Sequence, residues 1–414
     1  MRFLLHGAGV ETRAAAEGLR QRSRGDLALY APQGGEIERL APLSDPEADR
    51  FLEGAVYLRS PGIPPRDAFY QHAEEKAALV TTPTGWWLKE EASPNTVTVT
   101  GTKGKSTTTA LLADCLVAAG RSAAAYGNIG RPPLSAEPVS EEFPVLELSS
   151  YMMHDLPEAE HLHLVTSLYE DHLDWHGGRA AYHAAKLRPF RRDRPARGLA
   201  PRAVIEAYGL PSSVTAIEEV VSPELHLGSR LIDAGPPESG FTGGPLRLAL
   251  QAAAAATAIL VGEGAAALAA SEAAANFKGL PSRQSLVPSE DGRLWIDDAL
   301  ATIPEAVVSV LSRFEGRKVT LILGGADRGI DYTPLEEALA ASEDVAAIAF
   351  GPVAARFRFP YLPAETLEAA LEEAATRTPE GGVILFSPAA PSAPPHKDYK
   401  ERSAIFRAAA GAAR

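Results

Sequence analysis

Short apolar runs recur along the first sixty positions, each followed by residues with helical spacing. Phe3–Leu5, Leu27–Tyr30 and Ala55–Leu58 read as strands, and a helix is expected from about Thr12. The third run ends in Ser60-Pro61-Gly62, a turn signal. Such a β-α-β rhythm marks a parallel sheet flanked by helices. Gly7 and Gly9 make half of a dinucleotide fingerprint, and a tight strand-to-helix turn explains them equally well. The charged stretch Lys89–Pro94 reads as a linker. Thr96–Thr100 is almost wholly β-branched and opens a second segment, which continues through an alanine-rich helical region to about Asn276. A third segment begins near Gly279-Leu280-Pro281. Its strands are expected at Leu294–Ile296, Val319–Leu323, Ala346–Phe350 and Val383–Phe386, with helices such as Pro304–Phe314 and Thr366–Ala375 between them. The expected fold class is α/β, three units in series.

Length agrees with this, since 414 residues suit two or three domains. Composition is that of a globular protein, with 45% hydrophobic and 22% charged residues. Forty basic residues against 53 acidic ones give a formal net charge of -13, which repels a phosphate backbone and argues against nucleic-acid binding. The basic run Lys186, Arg188, Arg191, Arg192, Arg194 and Arg197 reads as a solvated surface. One cysteine, Cys115, excludes an internal disulfide and a multi-cysteine zinc site. The stretch Leu248–Ala270 carries Gln251, Gly262, Glu263 and Gly264, so it reads as helices of a soluble protein and not as a membrane span. The N-terminal apolar run is too short for a signal peptide, and a cytoplasmic location is expected.

Gly101-Thr102-Lys103-Gly104-Lys105-Ser106-Thr107 carries the clearest chemistry. A strand precedes it, and a helix with Leu111, Leu112, Cys115 and Leu116 on one face follows, ending near Gly120. Glycines let backbone N–H groups approach phosphates, and the helix N-terminus adds partial positive charge. Lys105 is placed to reach the β/γ phosphates, and Ser106 or Thr107 to hold Mg²⁺. Glu147 closes the apolar strand after this loop, where an acid can help hold the same ion. Tyr169–His176 holds many oxygen and nitrogen donors, and reads as a polar loop entering a helix with Asp171 or Asp174 as cap. His161 and His163 alternate along a strand-like run and receive no role.

These motifs together resemble the Mur ligases, the amide-forming enzymes of peptidoglycan synthesis. Beyond the loop at 101–107, the resemblance lies in Tyr126-Gly127-Asn128-Ile129-Gly130, Leu146-Glu147-Leu148-Ser149-Ser150 and Glu170-Asp171-His172-Leu173-Asp174. It continues in Ala185-Lys186, the stretch 277–283 ending in Arg283, Leu323-Gly324-Gly325 and Ser387-Pro388-Ala389. The Leu-Glu-Leu-Ser-Ser and Ser-Pro-Ala strings look most like the member that adds D-glutamate to UDP-N-acetylmuramoyl-L-alanine. The resemblance implies three domains. Residues 1–92 form a Rossmann-like domain for the UDP substrate, 93–278 a central P-loop ATPase-type domain, and 279–414 a C-terminal Rossmann-like domain for the amino acid. It further implies an acyl-phosphate intermediate, ATP with two Mg²⁺ sites, and a monomer without membrane or nucleic-acid partners. The residues carry over by position. Lys105 stabilises the transferring phosphoryl group. Ser106 or Thr107 and Glu147 bind one Mg²⁺, and His172 binds a second or the activated carboxylate. Lys186 matches a lysine that is carbamylated into a metal ligand. Gly101, Thr102, Lys103 and Gly104 cradle ATP, with Arg283 and Asp298 reaching it across a domain gap. Asn128 and Ser149 touch the muramoyl substrate, and Ser60 and Gly62 match the uridine loop. Thr302, Arg328, Ser392 and Tyr399 align with the D-glutamate site, with Lys397 nearby.

Two departures stand out. Ala299 and Leu300 replace the serine and lysine of that family's string before Ala301-Thr302, removing a positive charge. Gly243–Gln251 lacks the asparagines expected at the helix start that touches the nucleotide. A folylpolyglutamate synthetase-like or other Mur-type ligase, and a non-catalytic nucleotide-binding homologue, stay open as alternatives.

Overall fold

The computed structural model describes residues 1–158, 160–235, 241, 243–277 and 279–413. Lys278, within the 277–283 string and at the expected 278/279 boundary, lies outside them. The chain divides into two compact units. One comprises Met1–Ala234 with Leu248–Ala275, and the other Gly235–Arg247 with Asn276–Arg414.

The first unit holds two parallel sheets. Strands β1 (Arg2–His6), β2 (Asp26–Tyr30), β3 (Val56–Arg59) and β4 (Leu79–Thr81) form one in the order β2-β1-β3-β4. Helices α1 (Val10–Gln21), α2 (Asp45–Leu52), α3 (Ala68–Lys76) and α4 (Pro83–Glu90) connect and cover it. The first helix starts two residues before the sequence suggested. The second sheet takes β5 (Val97–Thr100), β6 (Ala123–Gly127), β7 (Phe143–Glu147), β8 (Leu162–Val165), β9 (Gly198–Ala200) and β10 (Val214–Ala216) in the order β10-β9-β8-β5-β7-β6. Helix α5 (Lys105–Ala118) buries Leu111, Leu112, Cys115 and Leu116 completely and stops at Gly120, whose φ is +75°. Shorter helices α6 (Ser150–Met153), α7 (Leu173–His176) and α8 (Arg179–Leu187) follow the strand ends.

One apolar core joins the two sheets. Phe3, Leu5, Leu19 and Leu58 pack with Trp86, Trp87, Tyr126, Leu146, Leu148 and Met152. The expected linker 89–94 is therefore short. Helix α4 runs through Glu90, and Trp86 stands edge-on to Phe3 at 5.4 Å. The helix Gly244–Val261 is long and apolar enough to cross a membrane, yet 61% of it is buried within the protein, as a core helix is.

The second unit carries a sheet of β13 (Ser285–Val287), β14 (Leu294–Asp297), β15 (Val319–Gly324), β16 (Val345–Phe350), β17 (Leu362–Ala364) and β18 (Val383–Phe386). A minor ribbon, β11 (His226–Leu227) with β12 (Arg230–Leu231), belongs to the first unit. The large sheet runs β13-β14-β18-β15-β16-β17, parallel except for the edge strand β13. The four expected strands and both expected helices are present, the helix after Ile303 ending in a 3₁₀ turn at Ser312–Phe314.

Trp86→Ala removes a ring that both sheets of the first unit share. It should lower stability by about 3–5 kcal/mol, read as a shifted midpoint in urea unfolding followed by circular dichroism.

Candidate active site

Both sheets of the first unit reverse their strand order beside the first strand of each, and a crevice opens there at the carboxyl ends. In one, Ser60 follows β3 and donates its N–H to His6 O at 2.8 Å. A Cβ at Gly9 would lie 2.5 Å from Ser60 Oγ, so a side chain there would displace the Ser60 hydroxyl. In the other, the loop after β5 lies against the loop after β8. Gly101 has φ +145°, and a Cβ there would sit 2.1 Å from Thr166 Oγ1. Thr102 N–H donates to Ser167 O at 2.9 Å and Lys103 N–H to Ser167 Oγ at 2.9 Å, while Thr166 Oγ1 donates to Lys103 O at 2.6 Å. The phosphate-loop shape is thus held by the neighbouring strand.

These two crevices open into one cleft of about 460 Å³. Lys105, Asn128, Ser149, His172, Lys186 and Ser60 all line it, although they come from six separate stretches of sequence. Gly62 lies beside it, its carbonyl accepting from Trp175 Nε1 at 3.1 Å. Lys105 Nζ donates to Thr102 O at 3.1 Å. Ser106 and Thr107 stand in the first turn of α5, Ser106 buried. Glu147 is 1% exposed. Its Oε1 accepts from Asn128 Nδ2 at 2.8 Å, and its Oε2 has no hydrogen-bond partner. A buried carboxylate oxygen without a donor is costly unless a cation fills the place, so the donor set fits a divalent ion.

Lys186 is 2% exposed and donates to Gly101 O at 2.7 Å, with Tyr182 below it, ring centre 5.0 Å from Nζ. Burial, reinforced by Lys105, pushes its proton affinity well below that of an ordinary lysine. His172 adopts φ +51° and shares a hydrogen bond between Nδ1 and Tyr151 Oη at 3.0 Å. Its pKa is lowered by burial first, opposed by Asp171, and then by Lys186, Lys105 and Lys103, which favours the neutral, metal-binding ring. Among the described residues no three His, Cys, Asp or Glu side chains converge into a metal cluster. A Mg²⁺ ion, which commonly keeps waters and substrate phosphates in its shell, does not demand one.

Several expectations need correction. Neither Asp171 nor Asp174 caps α7: His172 is its N-cap residue, and Asp171 Oδ1 instead accepts the His172 N–H at 3.0 Å. The basic run is not simply a solvated surface. Lys186 is buried, and Arg188 and Arg192 both donate to Leu156 O, at 3.2 and 2.6 Å.

The sequence reading missed four side chains. Tyr151 holds His172, and Tyr182 Oη meets Thr102 Oγ1 at 3.0 Å. Arg59 is wholly buried. Glu11, next to the Gly7–Gly9 turn, lines the cleft while 7% exposed. It accepts from Thr84 Oγ1 at 2.7 Å, and burial lifts its pKa to about 7. Tyr151 directly follows the Ser149-Ser150 motif and Arg59 precedes Ser60, but only burial and partners give these four side chains meaning.

The remaining expected residues lie on the second unit. Asp298 is buried, accepting from Ser387 Oγ at 2.7 Å and Gln284 N at 3.2 Å, and burial raises its pKa to about 7. Arg283 is exposed near it. Thr302, Arg328 and Ser392 follow the carboxyl ends of β14, β15 and β18, and Ser392 Oγ is buried without a partner. Lys397 and Tyr399 flank Asp398, the N-cap of the helix Tyr399–Ala412.

Comparison with known proteins agrees with this geometry. The Mur ligase middle domain matches residues 99–206, which contain the phosphate loop, Glu147, His172 and Lys186. A UDP-N-acetylmuramoyl-L-alanine--L-glutamate ligase of Micromonospora is 35% identical, covering 97% of this chain and 94% of its own length. The protein of that name from Xanthomonas axonopodis pv. citri is 34% identical over 98% and 94%. This chain belongs to the Mur ligase family. It is an ATP-dependent, ADP-forming ligase of peptidoglycan precursor synthesis. Among solved structures, the Thermotoga maritima MurF ligase in complex with ADP has a TM-score of 0.61 at 15% identity, covering 98% of this chain and 94% of that one. The MurC of the same organism has a TM-score of 0.55 at 18% identity, covering 98% of this chain. Both show the shared α/β fold. The sequence relatives carry L-glutamate in their names, where the resemblance by motif implied D-glutamate.

Because the Glu11 carboxyl binds its proton more tightly folded than unfolded, its contribution to stability is fully present below about pH 4.5 and is lost as pH rises through about 7. The melting temperature of Glu11→Gln minus that of wild type should therefore rise between pH 5 and pH 8, measured by scanning calorimetry. A flat difference would show that Glu11 is ionised throughout.

Proposed function

We propose that this Mur ligase joins L-glutamate to UDP-N-acetylmuramoyl-L-alanine. The observation that carries the reading is near full-length identity to relatives named for that reaction, over a chain whose P-loop, Glu147, His172 and Lys186 meet at one cleft. The first sheet and its Ser60–Gly62 loop take the UDP end, the second sheet ATP, and the second unit the amino acid through Thr302, Arg328, Ser392, Lys397 and Tyr399. A substrate pair of this kind belongs in the cytoplasm.

The carboxylate of the muramoyl-alanine attacks the γ-phosphorus of ATP, giving an acyl phosphate and ADP. The neutral glutamate amine then attacks the acyl carbon; phosphate leaves with the C–O electron pair, and one N–H proton passes to the departing phosphate or to solvent. Most of the catalytic work is positioning and charge neutralisation. Lys105 and the backbone amides at the start of α5 hold the phosphate chain. Asn128 and Ser149 orient the muramoyl-alanine. Glu147 with Ser106 or Thr107 holds one Mg²⁺, and His172 a second; bound there, the ions neutralise phosphate charge. Arg328 suits a glutamate carboxylate because its planar fork donates twice.

Lys186 joins the second site as a carbamate. Its buried amine has a weakened hold on its proton and can attack CO₂. The ammonium first gives one proton to solvent; as the neutral amine forms the new C–N bond, a C–O π pair moves onto oxygen and a second N–H proton leaves to solvent, so the cation becomes an anionic ligand.

Phosphate release with purified protein, ATP, Mg²⁺ and UDP-N-acetylmuramoyl-L-alanine tests the reaction. Turnover should require L-glutamate, with D-glutamate at least about tenfold poorer in kcat/KM, a discrimination of the size one lost polar contact gives. The reverse preference would restore the D-glutamate reading, and no release with either would point to a non-catalytic homologue. Separately, Lys186→Ala should lose turnover by roughly 10³-fold and regain part of it with millimolar acetate or formate. An unaffected variant would remove the carbamate from the mechanism.

A further inference from the structure

Arg59, at the end of β3, is fully buried, and all five of its N–H donors are used. Nε and Nη2 bind the two oxygens of Asp155 at 2.8 and 2.7 Å. Nη1 donates to Pro61 O at 2.9 Å and Ile63 O at 3.2 Å. Nη2 donates again, to Tyr151 O at 2.6 Å. The guanidinium plane also faces Trp175 at 5.3 Å and Tyr70 at 5.6 Å. One side chain therefore fixes the Ser60–Ile63 turn and the start of α6 together.

The chain of contacts continues to the metal ligand. Trp175 donates from Nε1 to Gly62 O at 3.1 Å and stacks on Tyr151, ring centres 4.4 Å apart. Tyr151 Oη meets His172 Nδ1 at 3.0 Å. Two routes thus run from the turn to His172, through the Arg59–Tyr151 backbone and through the Trp175–Tyr151 stack.

Taking the cleft as the UDP-substrate and metal site proposed above, the geometry points to Arg59 and Trp175 as positioning residues that couple occupancy of the Ser60–Ile63 turn to the placement of His172. Stability alone does not call for this arrangement. A buried ion pair is often no more stable than apolar packing, whereas five donors in a fixed fork set the relative positions of four backbone and carboxylate groups. A nucleotide-sugar that shifts this turn on binding thereby shifts Trp175, Tyr151 and the imidazole with it. Linkage makes the effect reciprocal: a cation at His172 favours the substrate-bound turn by the same factor.

Two variants separate this from a structural role. Arg59→Lys keeps the charge but loses two donors. It should raise KM for UDP-N-acetylmuramoyl-L-alanine about tenfold and lower kcat, leaving KM for ATP and for glutamate within about twofold. Trp175→Phe keeps the stack and loses only the bond to Gly62 O, so its melting temperature should stay within about 2 °C of wild type. With this variant and wild type, Mn²⁺ binding is followed by electron paramagnetic resonance, with and without the UDP substrate and without ATP. In wild type the UDP substrate should tighten Mn²⁺ about fivefold or more, and in Trp175→Phe by less than about twofold. An equal factor in both proteins, or none in wild type, would overturn the coupling. Calorimetry of the UDP substrate on the same samples distinguishes the remaining failure. If that compound does not bind at all, the functional reading falls first, and the coupling with it.

Discussion

The close approach of Gly101 to Thr166 is the constraint on which the catalytic cleft depends. Two parallel strands, β5 and β8, end side by side, and their following loops touch only because position 101 has no side chain. That contact leaves the Gly101 carbonyl free to accept from Lys186 and turns Thr102 toward Tyr182. It also brings the start of α5 and the His172 loop to one cleft. Any Cβ at 101 would part the loops and separate Lys105 from His172 and Lys186.

The same cleft gathers ionisable groups that water would otherwise solvate. Lys186, Glu147 and Glu11 are each more than nine-tenths buried, and each departs from simple pairing in its own way. Lys186 rests on a carbonyl and an aromatic face, Glu147 keeps one oxygen without a donor, and Glu11 holds its proton to about pH 7. Desolvation is a large free-energy cost, and natural folds retain it mainly where a ligand or a reaction uses it. Arg59 shows the opposite case, a buried charge with every donor matched, and it stands behind the cleft and not in it.

The second unit follows a related plan. Arg402 is wholly buried and donates to Gly324 O at 3.0 Å, Ala390 O at 3.2 Å and Ala299 O at 3.3 Å. It thereby ties together the three loops that carry Arg328, Ser392 and Thr302. Asp297, at the end of β14, adds Ser403 and Arg407 to the same scaffold. In each unit a buried guanidinium fixes loops at the carboxyl ends of a parallel sheet, where side-chain packing alone would leave them mobile.

Local pattern was enough to place four of the six strands of the third segment, the β5-loop-α5 unit and the long alanine-rich helices, because alternation and helical spacing are properties of neighbours along the chain; the three-residue edge strands β13 and β17 are too short to show alternation. Motif spacing also named Lys105 and Glu147, since phosphate loops and strand-end acids occur within a few residues of their elements, whereas His172 and Lys186 were named only through the resemblance to the Mur ligases. Sequence could not show that Glu11, Arg59, Tyr151 and Tyr182 join them. Their significance comes from burial and from partners up to 96 positions away, as for Arg59 and Asp155. Nor could it show that Arg188 and Arg192 serve carbonyls of the 154–157 turn and not open solvent. A charge count records which groups are present. Only the tertiary structure decides which of them lose water, and that loss sets their chemistry.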